Sequence, residues 1–189
     1  TLAGAMVGVQ EASLLSNPPA RRRPVRTELA PFDPASVKTA LLREKRRDGQ
    51  SFCVVPRIAD IEPTAAILAK LVPELSVLTV HGDMDAGAMD DAMMRFAHGE
   101  ADILLSTNII ETGLDVPRAN TILVWRADRF GMAQLHQLRG RVGRGRAQGS
   151  AYLLTEAEQE VSAETRSRLS TLLAFDRLGS GLAISARDL

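Results

Sequence analysis

Ile103-Leu104-Leu105-Ser106 and Thr121-Ile122-Leu123-Val124-Trp125 are short, almost continuous apolar runs. Neither alternates with polar residues as a strand with one wet face would. Both therefore read as strands covered on both faces, the mark of a parallel sheet. The same grammar extends outward from them. Ser51 to Val55 is a strand leading into a helix from about Asp60 to Leu71, and Ser76 to Val80 leads into a helix from about Ala86 to His98. Alternation begins at Val25: Val25, Thr27 and Leu29 point one way, Arg26 and Glu28 the other. Asp33-Pro34 supplies an N-cap and a proline at the first helical position, and the helix carries Val37, Ala40 and Leu41 inward until Gly49 stops it. Downstream come a helix around Met132 to Arg139, a strand at Ala151 to Leu154 and a helix from about Glu164 to Phe175. Strands alternating with helices predict an α/β fold, a doubly wound parallel sheet with helices on both faces.

The chain has 189 residues and is 45% apolar, ample for a core. No run approaches the roughly 18 uninterrupted apolar residues of a membrane span. The chain opens at Thr1 with no basic-then-apolar leader, so no secretory peptide is expected. The single cysteine, Cys53, cannot form an internal bridge, which fits a reducing, cytoplasmic setting. His81, His98 and His136 show no metal-ligand spacing, and no metal site is expected. Met89, Ala92, Met93 and Phe96 form a helical stripe that reads as core. Cys53 and Trp125 read as packing, His98 as surface, and His136 as facing either core or cleft.

Basic and acidic side chains balance at 23 each, which alone would argue against nucleic acid. The balance hides clusters: Arg21-Arg22-Arg23 with Arg26, Arg43 to Arg47, and Arg139, Arg141, Arg144 and Arg146. Acids gather elsewhere, at Asp83 to Asp91 and Glu156 to Glu160. Most charge runs are solvated faces. In Gln137-Leu138-Arg139-Gly140-Arg141-Val142-Gly143-Arg144, however, glycines clear space around the arginines. Arg141 and Arg144 are three apart, on one side of a helical turn, and their planar forks suit phosphate oxygens. Arginines packed so closely without an acid would repel one another unless an anion sat among them.

Doubly wound sheets bind ligands beyond the carboxyl ends of their strands. Thr107 to Pro117 follows the 103–106 strand there. The Thr107 hydroxyl and neighbouring N–H groups could hold a phosphate; Gly113 permits close approach, and Asp115 can accept from a hydroxyl or hold an arginine. On those residues alone, a capped helix start followed by a turn is the preferred explanation. The chain has no Gly-x-x-x-x-Gly-Lys-Ser/Thr loop and no acidic cluster after a strand to hold magnesium. It offers arginines to a nucleotide that it cannot hold alone, as half of a two-lobed motor would.

Gln137 to Arg144 resembles motif VI of superfamily 2 helicases, Thr107 to Pro117 resembles motif V, and Ser51 to Ile58, with Val54-Val55-Pro56-Arg57, occupies the place of motif IV. The string Arg129-Phe130-Gly131-Met132-Ala133-Gln134-Leu135-His136 running into motif VI is similar to the RecG/Mfd branch. Asn17-Pro18-Pro19-Ala20-Arg21-Arg22, and Thr1-Leu2, look more like the transcription-repair coupling factors than like RecG.

The resemblance implies a RecA-like lobe over 25–158, preceded by a linker from another lobe over 1–24. It also implies the start of a translocation motif over 159–189, as a helical hairpin (Ala163 to Leu178) truncated at Asp188-Leu189. Arg141 and Arg144 would be catalytic arginine fingers reaching the γ-phosphate of ATP, with Gln137 lining the cleft. Gly113 and Asp115 would share the cofactor side, while Arg57, His81, Gly82, Thr107 and Asn108 would lie on double-stranded DNA. ATP with Mg would be held mainly by the preceding RecA-like lobe, leaving this chain inactive alone. RNA polymerase and excision-repair proteins would be met through other domains, and no membrane is implied. A RecG-type lobe acting on branched DNA and a catalytically silent DNA-binding module are the competing readings.

Overall fold

Six strands pair edge to edge into one parallel sheet, and helices cover its two faces. A computed structural model describes residues 24–107, 115–156 and 161–185, with backbone alone from 175 onward. The chain runs β1 (Arg26–Pro31), α1 (Pro34–Arg46), β2 (Gln50–Val54), α2 (Ile61–Leu71), β3 (Val77–Val80), α3 (Ala86–Ala97), β4 (Ile103–Ser106), β5 (Ala119–Val124), α4 (Met132–Arg139), β6 (Ser150–Thr155) and α5 (Ala163–Ser185). The strand order is β1-β6-β5-β2-β4-β3, and every neighbouring pair is parallel. β2, β4 and β5 are buried along their whole length, as their short apolar runs predict, with Gln50, Ser51, Ser106, Asn120 and Thr121 buried at the strand ends as well. At the edge, Val25, Thr27 and Leu29 are half-buried while Arg26 and Glu28 are exposed, the expected alternation.

Successive side chains of a strand point to opposite faces, and the core divides accordingly. On one face Cys53, Leu105, Leu123 and Leu154 meet Val37 and Leu41 of α1 and Ile61 and Leu68 of α2. On the other, Leu104, Ile122, Val124 and Leu153 meet Met93 and Phe96 of α3, Leu135 and Leu138 of α4, and Leu169 and Leu172 of α5. Met89 packs at the border of the second cluster, so the methionine stripe is core. Cys53 is fully buried and accepts a hydrogen bond from the Trp125 indole N–H. His98 is exposed and His136 half-buried. No described helix is long and apolar enough to cross a membrane.

Asp33 caps α1 as its position predicts, accepting from the Ser36 N–H at 3.2 Å, with Pro34 at the first turn. The other end of α1 depends on a buried carboxylate. Glu44, 1% exposed, accepts from the Asn120 N–H at 3.0 Å and from the Arg47 guanidinium, tying α1 to the start of β5. Gly49 stands where a Cβ would lie 2.5 Å from Glu44 Oε1, so the glycine leaves room for that carboxylate as well as ending the helix.

The C-terminal helical region is one continuous helix, α5, where a hairpin completed by Leu178 was expected. No proline interrupts Ala163–Ser185 and no glycine precedes Gly179, so nothing in the expected turn breaks the backbone ladder. Most of the expected linker, residues 1–23, lies outside the described residues, as do Asp188 and Leu189.

Burial pushes the Glu44 carboxyl above its ordinary value, against the hydrogen bond and charge of Arg47. A carboxyl protonated more readily in the fold than in the open chain favours folding in acid. Its contribution is complete below 4.5 and is lost as pH rises through the elevated value. Urea midpoints across that range should show the stability of the natural chain, relative to Glu44→Gln, falling as pH rises.

Candidate functional site

Parallel pairing sends the chain from the carboxyl edge of each strand to the amino edge of the next, and the charged residues divide between these edges. The carboxyl ends were expected to hold the chemistry, yet Asp115, Arg141 and Arg144 gather at the opposite edge. Asp115 precedes β5, and the arginine loop lies between α4 and β6. The eight-residue α4 carries the chain back across the sheet and ends at Arg139, short of the two arginines. They therefore share no helical turn, and glycines shape their loop instead. Gly143 has φ +74°, a region that a residue without a Cβ enters freely. A Cβ on Gly149 would stand 2.7 Å from Gly143 N, and one on Gly145 2.7 Å from the Pro117 carbonyl oxygen. The loop is thus pressed against the segment that carries Asp115.

That packing brings two of the expected residues together. Arg144 Nη1 lies 3.5 Å from Asp115 Oδ1, and Arg144 Nε donates to the Gly140 carbonyl at 3.2 Å. The pair is largely exposed, with side chains 36% and 59% accessible, so it orients Arg144 more than it stabilises the fold. Arg141 is half-buried, and burial first, then the neighbouring Arg144 charge, pulls its guanidinium below the usual range. Two guanidinium groups this close form a ready receptor for an anion. Gln137 is exposed on α4. Gly113 and Asn108 lie outside the described residues.

At the carboxyl edge, His81 follows β3 and Thr107 follows β4, both half-buried, with Gly82 exposed beside His81. Val80 and Ser106 pair across β3 and β4, so the residues that follow them emerge side by side. Ser106 Oγ and His81 Nδ1 are buried without a hydrogen-bond partner among the described residues. Ser106 was not anticipated, because a serine closing an apolar strand reads as its end. Arg57 is exposed but occupied: its Nε and Nη2 donate to the two oxygens of Asp60, each at 3.2 Å.

The carboxyl edge also holds a crevice. The chain leaves β2 for α2 on one face, and its neighbour β5 for α4 on the other. Diverging connections of this sort open the gap in which α/β sheets bind ligands. A cavity of about 460 Å³ lies there, lined by Phe32, Val55, Asp60, Trp125, Arg126 and Glu156 among others. The Phe32 and Trp125 rings stack beside it with centroids 4.8 Å apart. Among the described residues, no group of three or more His, Cys, Asp or Glu side chains is placed to hold a metal ion.

Residues 34–146 match the helicase conserved C-terminal domain. The chain is 44% identical over 188 residues to the transcription-repair-coupling factor of Rickettsia prowazekii, covering all of this chain and 17% of that protein. The transcription-repair-coupling factor of Escherichia coli K12 is 42% identical over 189 residues, with 16% of its length covered. The chain thus spans about a sixth of the length of the curated relatives it matches. Among solved structures, RecG bound to a three-way DNA junction superposes with a TM-score of 0.71 at 39% identity, over 82% of this chain and 21% of that one.

The contact between Gly145 and Pro117 is backbone against backbone and cannot yield by a rotamer change. Gly145→Ala should lower stability by about 1–3 kcal/mol, read as a fall in the urea midpoint. Gly82→Ala, where a Cβ meets nothing within 4 Å, should leave the midpoint nearly unchanged.

Proposed function

Because the chain belongs to the helicase conserved C-terminal domain family, we propose that it is the second motor lobe of an ATP-dependent double-stranded DNA translocase acting in transcription-coupled repair. The observation that carries this reading is the division of charge between the two sheet edges. Arg141 and Arg144 meet Asp115 at one edge, while Arg57, His81, Ser106 and Thr107 occupy the other. A motor lobe needs both, one edge to sense nucleotide and one to ride on nucleic acid. A catalytically silent DNA-binding module has no use for the first.

The chain's own residues fit the anionic end of a nucleotide. Arg141, drawn below its usual range by burial and by Arg144, gains most from a negative charge placed between the two guanidinium groups. Arg144, held on Asp115, is free to turn to a phosphate because an exposed pair of this kind contributes little. ATP with Mg would supply the phosphoryl transfer from the preceding lobe, and the arginines would stabilise charge as it develops on the γ-phosphate. Gln137 and Gly113 would line the same cleft. Thr107, Asn108, His81, Gly82 and Arg57 would meet the DNA backbone.

The lobe would span residues 25–158, with 1–24 joining it to its predecessor and 159–189 opening the translocation motif. RNA polymerase and excision-repair proteins would be engaged by other parts of a longer cytoplasmic protein. The likeness to RecG on a three-way junction favours a second reading, remodelling of branched DNA. Greater stimulation of ATP turnover by a three-way junction than by linear duplex would select it.

In the full-length protein, Arg144→Ala should cost about 10³ to 10⁵ in DNA-stimulated ATP turnover, the usual loss of an arginine supplied across a cleft. Circular dichroism should show the variant folded. Turnover close to that of the natural protein would remove Arg144 from the nucleotide site.

A further inference from the structure

Arg126 was not among the residues expected to bind anything, yet among the described residues it is one of two non-glycines with a positive φ, the other being Asp48. Arg126 follows Trp125 just beyond the end of β5, with φ 49° and ψ 54°, a left-handed conformation unfavourable for a residue with a Cβ. Such strain persists where surrounding contacts over-determine it, commonly at functional positions. The side chain that this backbone carries meets two carboxylates. Arg126 Nη1 lies 3.5 Å from Asp60 Oδ1, and Arg126 Nε lies 2.8 Å from Glu156 Oε1.

Asp60 is shared. It stands at the N-cap position of α2, but no helix N–H reaches its side chain. Its two oxygens instead receive the fork of Arg57 and one nitrogen of Arg126. One carboxylate, itself only 13% exposed, thus holds two guanidinium groups that project from neighbouring strands β2 and β5 at the switch point of the sheet. A guanidinium fork that accepts a carboxylate edge-on accepts two phosphate oxygens in the same way. The Arg57 side chain is 57% exposed, so an incoming anion can reach its guanidinium from solvent.

We propose that Arg126 and Arg57 form a two-pronged grip for a backbone phosphate of duplex DNA, and that Asp60 is the resident counter-ion which the phosphate displaces. The proposal rests on the DNA-motor reading and adds to it a residue and a gate. Glu156 keeps Arg126 aimed into the crevice during the exchange, because it binds through Nε and leaves the Nη groups for the anion. In the unliganded lobe, the track at this point is held neutral by two carboxylates matched to two arginines.

The test uses the full chain and a labelled duplex, with binding followed by fluorescence anisotropy from about 50 to 200 mM salt. Asp60→Asn should tighten binding several-fold by removing the competing anion. Arg126→Gln should weaken it and reduce the log–log salt slope by about 0.9, one phosphate contact. The double variant should bind more weakly than Asp60→Asn alone, since Arg57 is then freed but Arg126 is lost. If the natural chain binds duplex and Asp60→Asn binds it no better, the gate is wrong. If Arg126→Gln keeps the full slope, Arg126 touches no phosphate.

A separate readout covers failure of the DNA reading itself, shown by no duplex binding at the lowest salt. Trp125 is the single tryptophan of the chain and adjoins Arg126, so its emission reports on the crevice alone. Titration with inorganic phosphate should give a saturable change that Arg126→Gln abolishes, leaving an anion grip without a DNA role. No change in the natural chain would overturn the grip as well.

Discussion

Parallel pairing imposes one constraint from which the rest of the arrangement follows. Consecutive strands pointing the same way require each connection to return the chain from the carboxyl edge to the amino edge. Thr107, after β4, therefore lies at one edge, and Asp115, before β5, at the other. The segment from Trp125 to Gly149 runs between the same edges, starting at the crevice and ending in the arginine loop. Residues adjacent in sequence are placed at opposite edges, while residues remote in sequence become neighbours. A chain that must sense a nucleotide and a nucleic acid at once can use this separation directly.

The amino edge is held by close backbone contact. Gly143, Gly145 and Gly149 allow the arginine loop to lie against itself and against Pro117 at distances no Cβ would permit. Rigid packing of this kind resists small displacement and so carries geometry faithfully. Glu44 acts nearby in another way, as a buried acceptor that fixes the start of β5, and hence the segment bearing Asp115, to the end of α1. The carboxyl edge is held mainly by charge. Arg57, Asp60, Arg126 and Glu156 form an alternating chain with ion-pair distances from 2.8 to 3.5 Å. Packing suits groups that must keep one position, and ion pairs suit groups that must exchange partners.

Strands and helices were legible because burial imposes a periodicity. β4 and β5 carry short, nearly continuous apolar runs, β1 alternates, and α3 carries a stripe whose methionines lie in or beside the core. The Asp33 cap and the stop at Gly49 were equally plain, although the proximity of Gly49 to Glu44 was not. The site was legible in its residue types but not in its assembly. Arg141 and Arg144 stood out as clustered guanidinium groups, yet their spacing suggested a helical turn where the chain forms a glycine-shaped loop. Arg57 was expected on DNA through the family resemblance, and the structure finds it engaged by Asp60. Arg126, Asp60 and Ser106 carried no signal, since an arginine, an aspartate and a serine at element ends are ordinary in any sequence.

Local physics therefore determined the elements, their order and the kinds of chemistry available: hydrophobic periodicity, capping and backbone freedom act over a few residues and can be read in line. Only the tertiary structure decided which charges meet. Ion pairs such as Arg144–Asp115 and Arg126–Glu156 join residues from separate connections. Their distances depend on strand order and loop packing, and neither is written in the spacing of the residues themselves.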